Sequence, residues 1–133
     1  MSTLVDTNVL LDIATRDPVW ALWSLGQLDA AAMRGPIFVN DTIYAEFSVR
    51  YSRIEDVNAF LEMAGLTQQA TPRAALFLAG KVFQAYRAAG GARTGVLPDF
   101  FIGAHAAVQS LSLLTRDVRR YRRYFPTLTL IAP

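Results

Sequence analysis

Asp6, Glu46, Asp99 and Asp117 are the residues of this chain whose type and setting could do chemistry. Asp6 stands in Thr3-Leu4-Val5-Asp6-Thr7-Asn8-Val9-Leu10-Leu11, between two apolar runs. A carboxylate there is costly unless it is paired, hydrogen-bonded or bound to a metal. Each acid also has a plain structural reading. Asp99 could cap a helix, Glu46 could pair with Arg50 four residues on, and Asp117 could pair with neighbouring arginines. Asp6 is the hardest to dismiss, because Thr7 or Asn8 would cap the next helix equally well. Brought within several Å, such carboxylates repel unless a cation neutralises them. The cation expected for an all-oxygen set is hard and divalent, Mg²⁺ or Mn²⁺ rather than zinc. That combination suits metal-assisted hydrolysis of a phosphodiester.

Short apolar strands separated by helices must bring these acids together. Thr3 to Val5 reads as a buried strand, followed by a helix capped by Thr7 or Asn8 and running through Ile13. Asp17-Pro18 reads as an N-cap and first helical position, opening a helix with Val19, Leu22, Trp23 and Leu25 that stops near Gly35-Pro36. Ile37 to Val39 is a second strand. Asn40, Asp41 and Thr42 offer caps for a helix carrying Tyr44, Glu46, Phe47 and Tyr51. Glu55 to Ala64 forms another helix, ending at Gly65. Thr71-Pro72 opens a helix whose Ala75, Leu76, Ala79, Phe83 and Tyr86 share an apolar face. After a glycine-rich loop over 90–95, Pro98-Asp99 begins a helix to about Gln109. Leu111 to Thr115 is a strand, Val118 to Tyr124 a short basic helix and Leu128 to Ile131 a last strand. This alternation predicts one α/β domain over 1–133, a parallel sheet of short strands with helices on both faces. In such sheets ligands bind beyond the carboxyl ends of the strands, where Asp6 and Asp117 fall.

At 133 residues, 53% hydrophobic and 18% charged, the chain can bury a core without disulfides, and it contains no cysteine. Thiolate metal sites and cysteine nucleophiles are thereby excluded. Neither a leader-like N-terminus nor a membrane-length apolar run is present, so a cytoplasmic protein is expected. The net charge of +2 hides a separation of signs. Residues 1–66 hold nine acids and four arginines, whereas residues 67–133 hold two acids and nine basic residues. An anionic partner is therefore expected on the second half.

The segments LVDTNVLLD, YAEF, LPDFFIGAHA and LLTRDVRRYRRYF, in that order along nearly the whole chain, resemble the PIN-domain ribonucleases. More narrowly, the chain is similar to the VapC-like toxins of bacterial and archaeal toxin-antitoxin modules. The resemblance implies a PIN-like fold and a Mg²⁺- or Mn²⁺-dependent endoribonuclease. Its acidic cluster maps onto Asp6, Glu46, Asp99 and Asp117, with Asn8 and Thr115 assisting around the first and last acids. Asp6 and Asp99 are then the expected metal ligands, with Glu46 and Asp117 holding waters or orienting the nucleophile. Many relatives carry a further acid near the third motif. Leu97, Pro98, Phe100 and Phe101 supply none here, which leaves a second metal unsupported. The resemblance also implies a homodimer and a cognate antitoxin partner.

Arg116, Arg119, Arg120, Arg122 and Arg123 form the densest basic cluster. A solvated face would explain them, but their place beside Asp117 favours phosphate binding by Arg116, Arg119, Arg120 and Arg123, with Arg93 a weaker candidate. Val118, Tyr121 and Phe125 share a face and are expected to pack inward. His105, the only histidine, lies six helical positions from Asp99, roughly 600° and hence about 120° off its direction. It is expected to pack rather than react. Trp20, Trp23, Phe77, Phe83 and Tyr86 read as core or dimer surface, with part of the 72–89 helix a dimer face.

Two other functions compete. Phosphoaspartate enzymes and receiver domains also place an aspartate after the first strand. They want a lysine at the site, and dehalogenase-like phosphatases want a second aspartate where this chain has Asn8. Lys81, the only lysine, falls mid-helix. The remaining alternative is an RNA-binding PIN fold that has lost catalysis.

Overall fold

A computed structural model describes residues 1–91 and 95–133. Five short parallel strands form its sheet: β1 (Thr3–Val5), β2 (Ile37–Val39), β3 (Thr67–Gln68), β4 (Ser112–Leu114) and β5 (Leu130–Ile131), in the order β3-β2-β1-β4-β5. Leu4 pairs with Phe38 on one side and Leu113 on the other. Successive strand residues face opposite sides of a sheet. Every residue of β1 and β4 is buried, so both faces are covered, as an all-parallel sheet requires.

The covering helices are α1 (Thr7–Ala14), α2 (Ala21–Arg34), α3 (Asp41–Ser48), α4 (Ile54–Met63), α5 (Arg73–Ala88), α6 (Leu97–Val108) and α7 (Arg119–Tyr124). Packed on the strands, they close one core, with Leu4, Val9, Leu10, Ile43, Phe47, Phe100, Ile102 and Leu113 fully buried. Each such side chain contributes roughly 1.5–3 kcal/mol. Among the described residues no helix is long and apolar enough to cross a membrane.

Several expectations are corrected in detail. The edge strand β3 was not anticipated. It has two exposed residues and is placed by the turn before it: Gly65 at φ +73° ends α4, with Leu66 N–H donating to Leu61 O and Gly65 N–H to Glu62 O. Helix α2 starts at Ala21, not at Pro18, because the Asp17 carboxylate takes the Val19 and Trp20 N–H groups into a separate turn. Val19 and Leu22 consequently stand exposed. Asp6 itself, and neither Thr7 nor Asn8, caps α1.

Asn40 caps α3 through its Oδ1, which accepts the Ile43 N–H at 2.9 Å. Its Nδ2 then points at His105 Nδ1, 3.1 Å away. An amide nitrogen can only donate, so Nδ1 accepts and the ring proton sits on Nε2, which donates to Gln109 Oε1 at 3.0 Å. His105 is thus a buried neutral link between α3 and α6, as expected. Burial lowers its pKa below the ordinary 6.5. The unfolded chain then takes up the proton first, so the stability His105 contributes is present above that pH and lost as pH falls below it. Urea melts should show wild type losing more stability between pH 7.5 and 5.5 than His105→Gln. An equal loss in both would remove His105 from the acid response.

Candidate active site

The chain leaves β1 toward β2 and leaves β4 toward β5 on the opposite side. The gap between the carboxyl ends of β1 and β4 is therefore the switch point at which parallel sheets bind ligands. Asp6 follows β1 directly, and Thr115 to Asp117 follow β4. A pocket of about 240 Å³ opens there, lined by Asp6, Thr7, Asn8, Leu11, Glu46, Asp99, Asp117, Arg120 and Tyr121. All four sequence-predicted acids reach it from four separate segments.

Asp6 is only 5% exposed, and both of its oxygens accept hydrogen bonds. One oxygen accepts the Thr7 N–H at 2.7 Å, while the other accepts the Thr115 hydroxyl at 2.8 Å and the Tyr121 hydroxyl at 2.9 Å. Burial pushes its pKa up to about 6; the three hydrogen bonds pull the other way, and the charge of Asp99 adds to the rise. Burial likewise raises Glu46, whose Oε1 accepts the Thr7 hydroxyl at 2.7 Å. The alternative pairing of Glu46 with Arg50 is not formed. Asp99, in the first turn of α6, is raised by burial and by the nearby charge of Asp117, while Arg120 opposes both. The Arg120 guanidinium binds the Asp99 carboxylate, so this arginine turns into the pocket rather than outward. Asp117 is exposed at the mouth.

Asn8 and Thr115 stand where the sequence motif puts them. Asn8 Nδ2 lies 3.2 Å from Thr115 Oγ1, and its Oδ1 accepts the Arg116 N–H at 3.0 Å. Thr115 in turn accepts the Asp117 N–H at 3.2 Å. These bonds tie the segment after β4 to α1.

Arg116 departs from the expected role of a free phosphate ligand. Its Nε and Nη2 meet the two Asp12 oxygens at 2.6 and 2.8 Å, and it lies over the Trp20 ring. Asp12, 3% exposed, also accepts the Ser24 hydroxyl. The pair pins the Thr115 to Asp117 segment against α1 and α2. Removing one partner of a buried pair strands the other charge. Arg116→Ala should therefore lower unfolding stability by about 3 kcal/mol in urea titrations. The double replacement Asp12→Asn, Arg116→Met should lose less. Arg119 and Arg123 stand exposed on α7 near Asp117, and Arg93 lies outside the described residues.

Tyr121 was expected only to pack. Its hydroxyl on Asp6, across 115 positions, gave no sequence signal beyond an inward-facing phenol with a polar tip. Gly103 is what admits it: a Cβ there would lie 2.5 Å from the Phe125 ring, so only glycine lets the end of α7 pack this closely onto α6.

Among the described residues no three acidic or histidine side chains stand close enough to hold one ion together. The set still fits a hard divalent cation, because Mg²⁺ commonly takes one or two protein carboxylates and fills its remaining positions with water. Asp6, Glu46 and Asp99 each have a pKa raised partly by a neighbouring carboxylate, a repulsion that a bound cation would relieve.

The chain is thus a parallel α/β domain with four acids gathered at the switch point of its sheet. The family model described as PIN domain matches residues 3–126, and the chain belongs to that family. No curated protein sequence matches it. Solved structures with the same fold include VapBC2 from Rickettsia felis bound to a DNA fragment from its promoter. There the identity is 18% and the TM-score 0.76, covering 100% of this chain and 99% of that one. DNA-bound VapBC from Salmonella typhimurium follows at 15% identity and TM-score 0.70, covering 99% and 98%. FitAcB from Neisseria gonorrhoeae aligns at 16% identity and TM-score 0.66, covering 97% and 96%.

Proposed function

We propose that this chain is a Mg²⁺- or Mn²⁺-dependent endoribonuclease, the toxin of a toxin-antitoxin pair acting in the cytoplasm. The observation that carries the reading is the convergence of Asp6, Glu46, Asp99 and Asp117 on one pocket. Membership of the PIN family and the toxin-antitoxin complexes among its structural neighbours support it. A bound divalent ion would supply positive charge to the phosphate and make the attacking water more acidic. Asp6 and Asp99 hold that charge in place, the first fixed by Thr7, Thr115 and Tyr121 and the second facing Arg120. Glu46 and Asp117 orient water in line with the ester bond to be broken. The water oxygen bonds to phosphorus, its proton passes to a carboxylate, and the leaving sugar oxygen departs with the bonding pair. Arg119, Arg120 and Arg123 draw in the RNA backbone.

The partners follow from the same reading: RNA as substrate, a separate antitoxin chain, and a second copy of this chain. Exposed Leu76 and Phe77 on α5 offer a face for the homodimer. The test is end-mapping of RNA incubated with purified protein and Mg²⁺, with Asp99→Asn as control. Discrete ends that need the metal and vanish in the variant are expected. No cleavage, together with no divalent-ion binding by calorimetry, would leave only a silent RNA-binding fold.

A further inference from the structure

Beside the acidic pocket lies a second cleft, of about 300 Å³, lined by Tyr86, Asp117, Arg119, Arg120, Arg123 and Tyr124. It shares Asp117 and Arg120 with the first, so the two open into each other. The Arg120 guanidinium is taken by Asp99, which leaves the exposed Arg119 and Arg123 with the single carboxylate of Asp117, so the cleft is cationic where its neighbour is anionic. The arginines are sorted, not merely crowded. Positions 119, 120 and 123 of α7 lie on one helical face, whereas Arg122 does not line the cleft and Arg116 is engaged by Asp12.

The aromatic side of the cleft is equally built. Tyr86 of α5 and Tyr124 of α7 meet edge to face at 6.0 Å, and both are braced by Phe100, at 5.7 and 5.1 Å. The Arg123 guanidinium lies over the Tyr124 ring at 5.4 Å while its side chain remains exposed. An exposed guanidinium held near a phenol ring offers a flat cationic surface beside an aromatic one, and unpaired bases stack on arginine planes as well as on aromatic rings. Arg119 stands beside it, free to take a phosphate oxygen.

We propose that this cleft is a subsite for the nucleotide next to the scissile phosphate. It grips an unpaired base on the Arg123–Tyr124 stack and the flanking phosphate on Arg119. The inference rests on the nuclease reading above and adds to it a base contact on named residues, Arg123 and Tyr124, which a base still paired in a duplex cannot reach. The acidic pocket and the basic cleft then divide one substrate between them, with Asp117 and Arg120 at the junction.

Binding can be read without cleavage, using Asp99→Asn protein and a fluorescein-labelled ten-nucleotide RNA followed by anisotropy. The single strand should bind at least about tenfold more tightly than the same sequence as a duplex, given roughly 1–3 kcal/mol per stacked base. Adding Tyr124→Ala should remove about that factor, and Tyr124→Phe should restore it, since the ring is kept. Arg119→Gln with Arg123→Gln, both exposed, should flatten the dependence of log affinity on log salt by about 0.7 for each phosphate no longer neutralised, with an unchanged urea midpoint as the folding control. A 5-iodouridine in the strand should photo-crosslink to Tyr124 or Tyr86. Unchanged affinity and salt slope in the double arginine variant would overturn the proposal. So would competition by a hexaglutamate peptide as effective as that by an oligonucleotide of equal charge, which would mark an acidic protein segment as the occupant. Wild-type cleavage is scored separately. Cleavage without any effect of these variants refutes the cleft alone, whereas crosslinking at the cleft without cleavage refutes the nuclease reading and with it the cleft's place beside a scissile phosphate.

Discussion

Replacing Asp6 by asparagine is expected to lower RNA cleavage by at least about a thousandfold, some 4 kcal/mol of transition-state stabilisation. It should also make the metal-free protein more stable at pH 7.5. The two effects have one cause. Asp6 is buried at the end of β1, and its pKa is pushed from 3.8 to about 6, so ionising it at neutral pH costs the metal-free fold about 3 kcal/mol. The folded state holds the proton more tightly than the unfolded one. The contribution is therefore favourable below pH 4 and is lost as pH rises through about 6. Asparagine removes the charge and keeps the geometry. Its Oδ1 can accept the Thr7 N–H and its amide can donate to the Tyr121 hydroxyl oxygen, while Thr115, whose oxygen already accepts from Asn8 and the Asp117 N–H, can turn its hydrogen to the Asp117 carbonyl. Urea melts of both proteins from pH 4 to 8 should show the variant gaining as pH rises, and Mg²⁺ should stabilise the wild type alone. A variant that cleaves RNA normally, or that is less stable than wild type throughout, would contradict the assignment of Asp6 as a buried ligand.

The same residue shows how far the sequence could be read. Asp6 was legible because a carboxylate between Val5 and Val9 needs a partner, though its service as the cap of α1 was not, and the resemblance placed Glu46, Asp99 and Asp117 with it. Strands β1, β2 and β4 were legible as apolar runs bounded by polar residues, whereas β3 was not, since Thr67 and Gln68 are exposed and carry no hydrophobic signal. The direction in which an arginine turns is a tertiary property. Arg116 and Arg120 belong to one basic run, yet the first is taken by Asp12, 104 positions away, and the second by Asp99. Nothing local distinguishes them. Tyr121 sits on the helical face that packing demands, and only the approach of α7 over Gly103 turns its hydroxyl onto Asp6.

That hydroxyl leads to the second large effect, on pH dependence. Divalent-ion affinity and cleavage should fall about tenfold for each pH unit below about 6, because a proton on Asp6 competes with the cation for the same oxygens. Raising the Mg²⁺ concentration should carry the limb to lower pH, as competition requires. The hydrogen bonds from Thr115 and Tyr121 favour the ionised form and hold the limb down. Tyr121→Phe removes one of them while keeping the ring, which is 2% exposed and packed in the core. Its limb should therefore move to higher pH, with activity well above the limb little changed, and Thr115→Val should move it the same way. A structural role for Tyr121 would lower activity evenly at every pH and leave the limb in place. Profiles of kcat/KM against pH for the three proteins, at fixed Mg²⁺, separate these outcomes. An unmoved limb in both variants would mean that the group titrating in catalysis is Glu46 or Asp99, and that Asp6 keeps its charge by means other than the two hydroxyls.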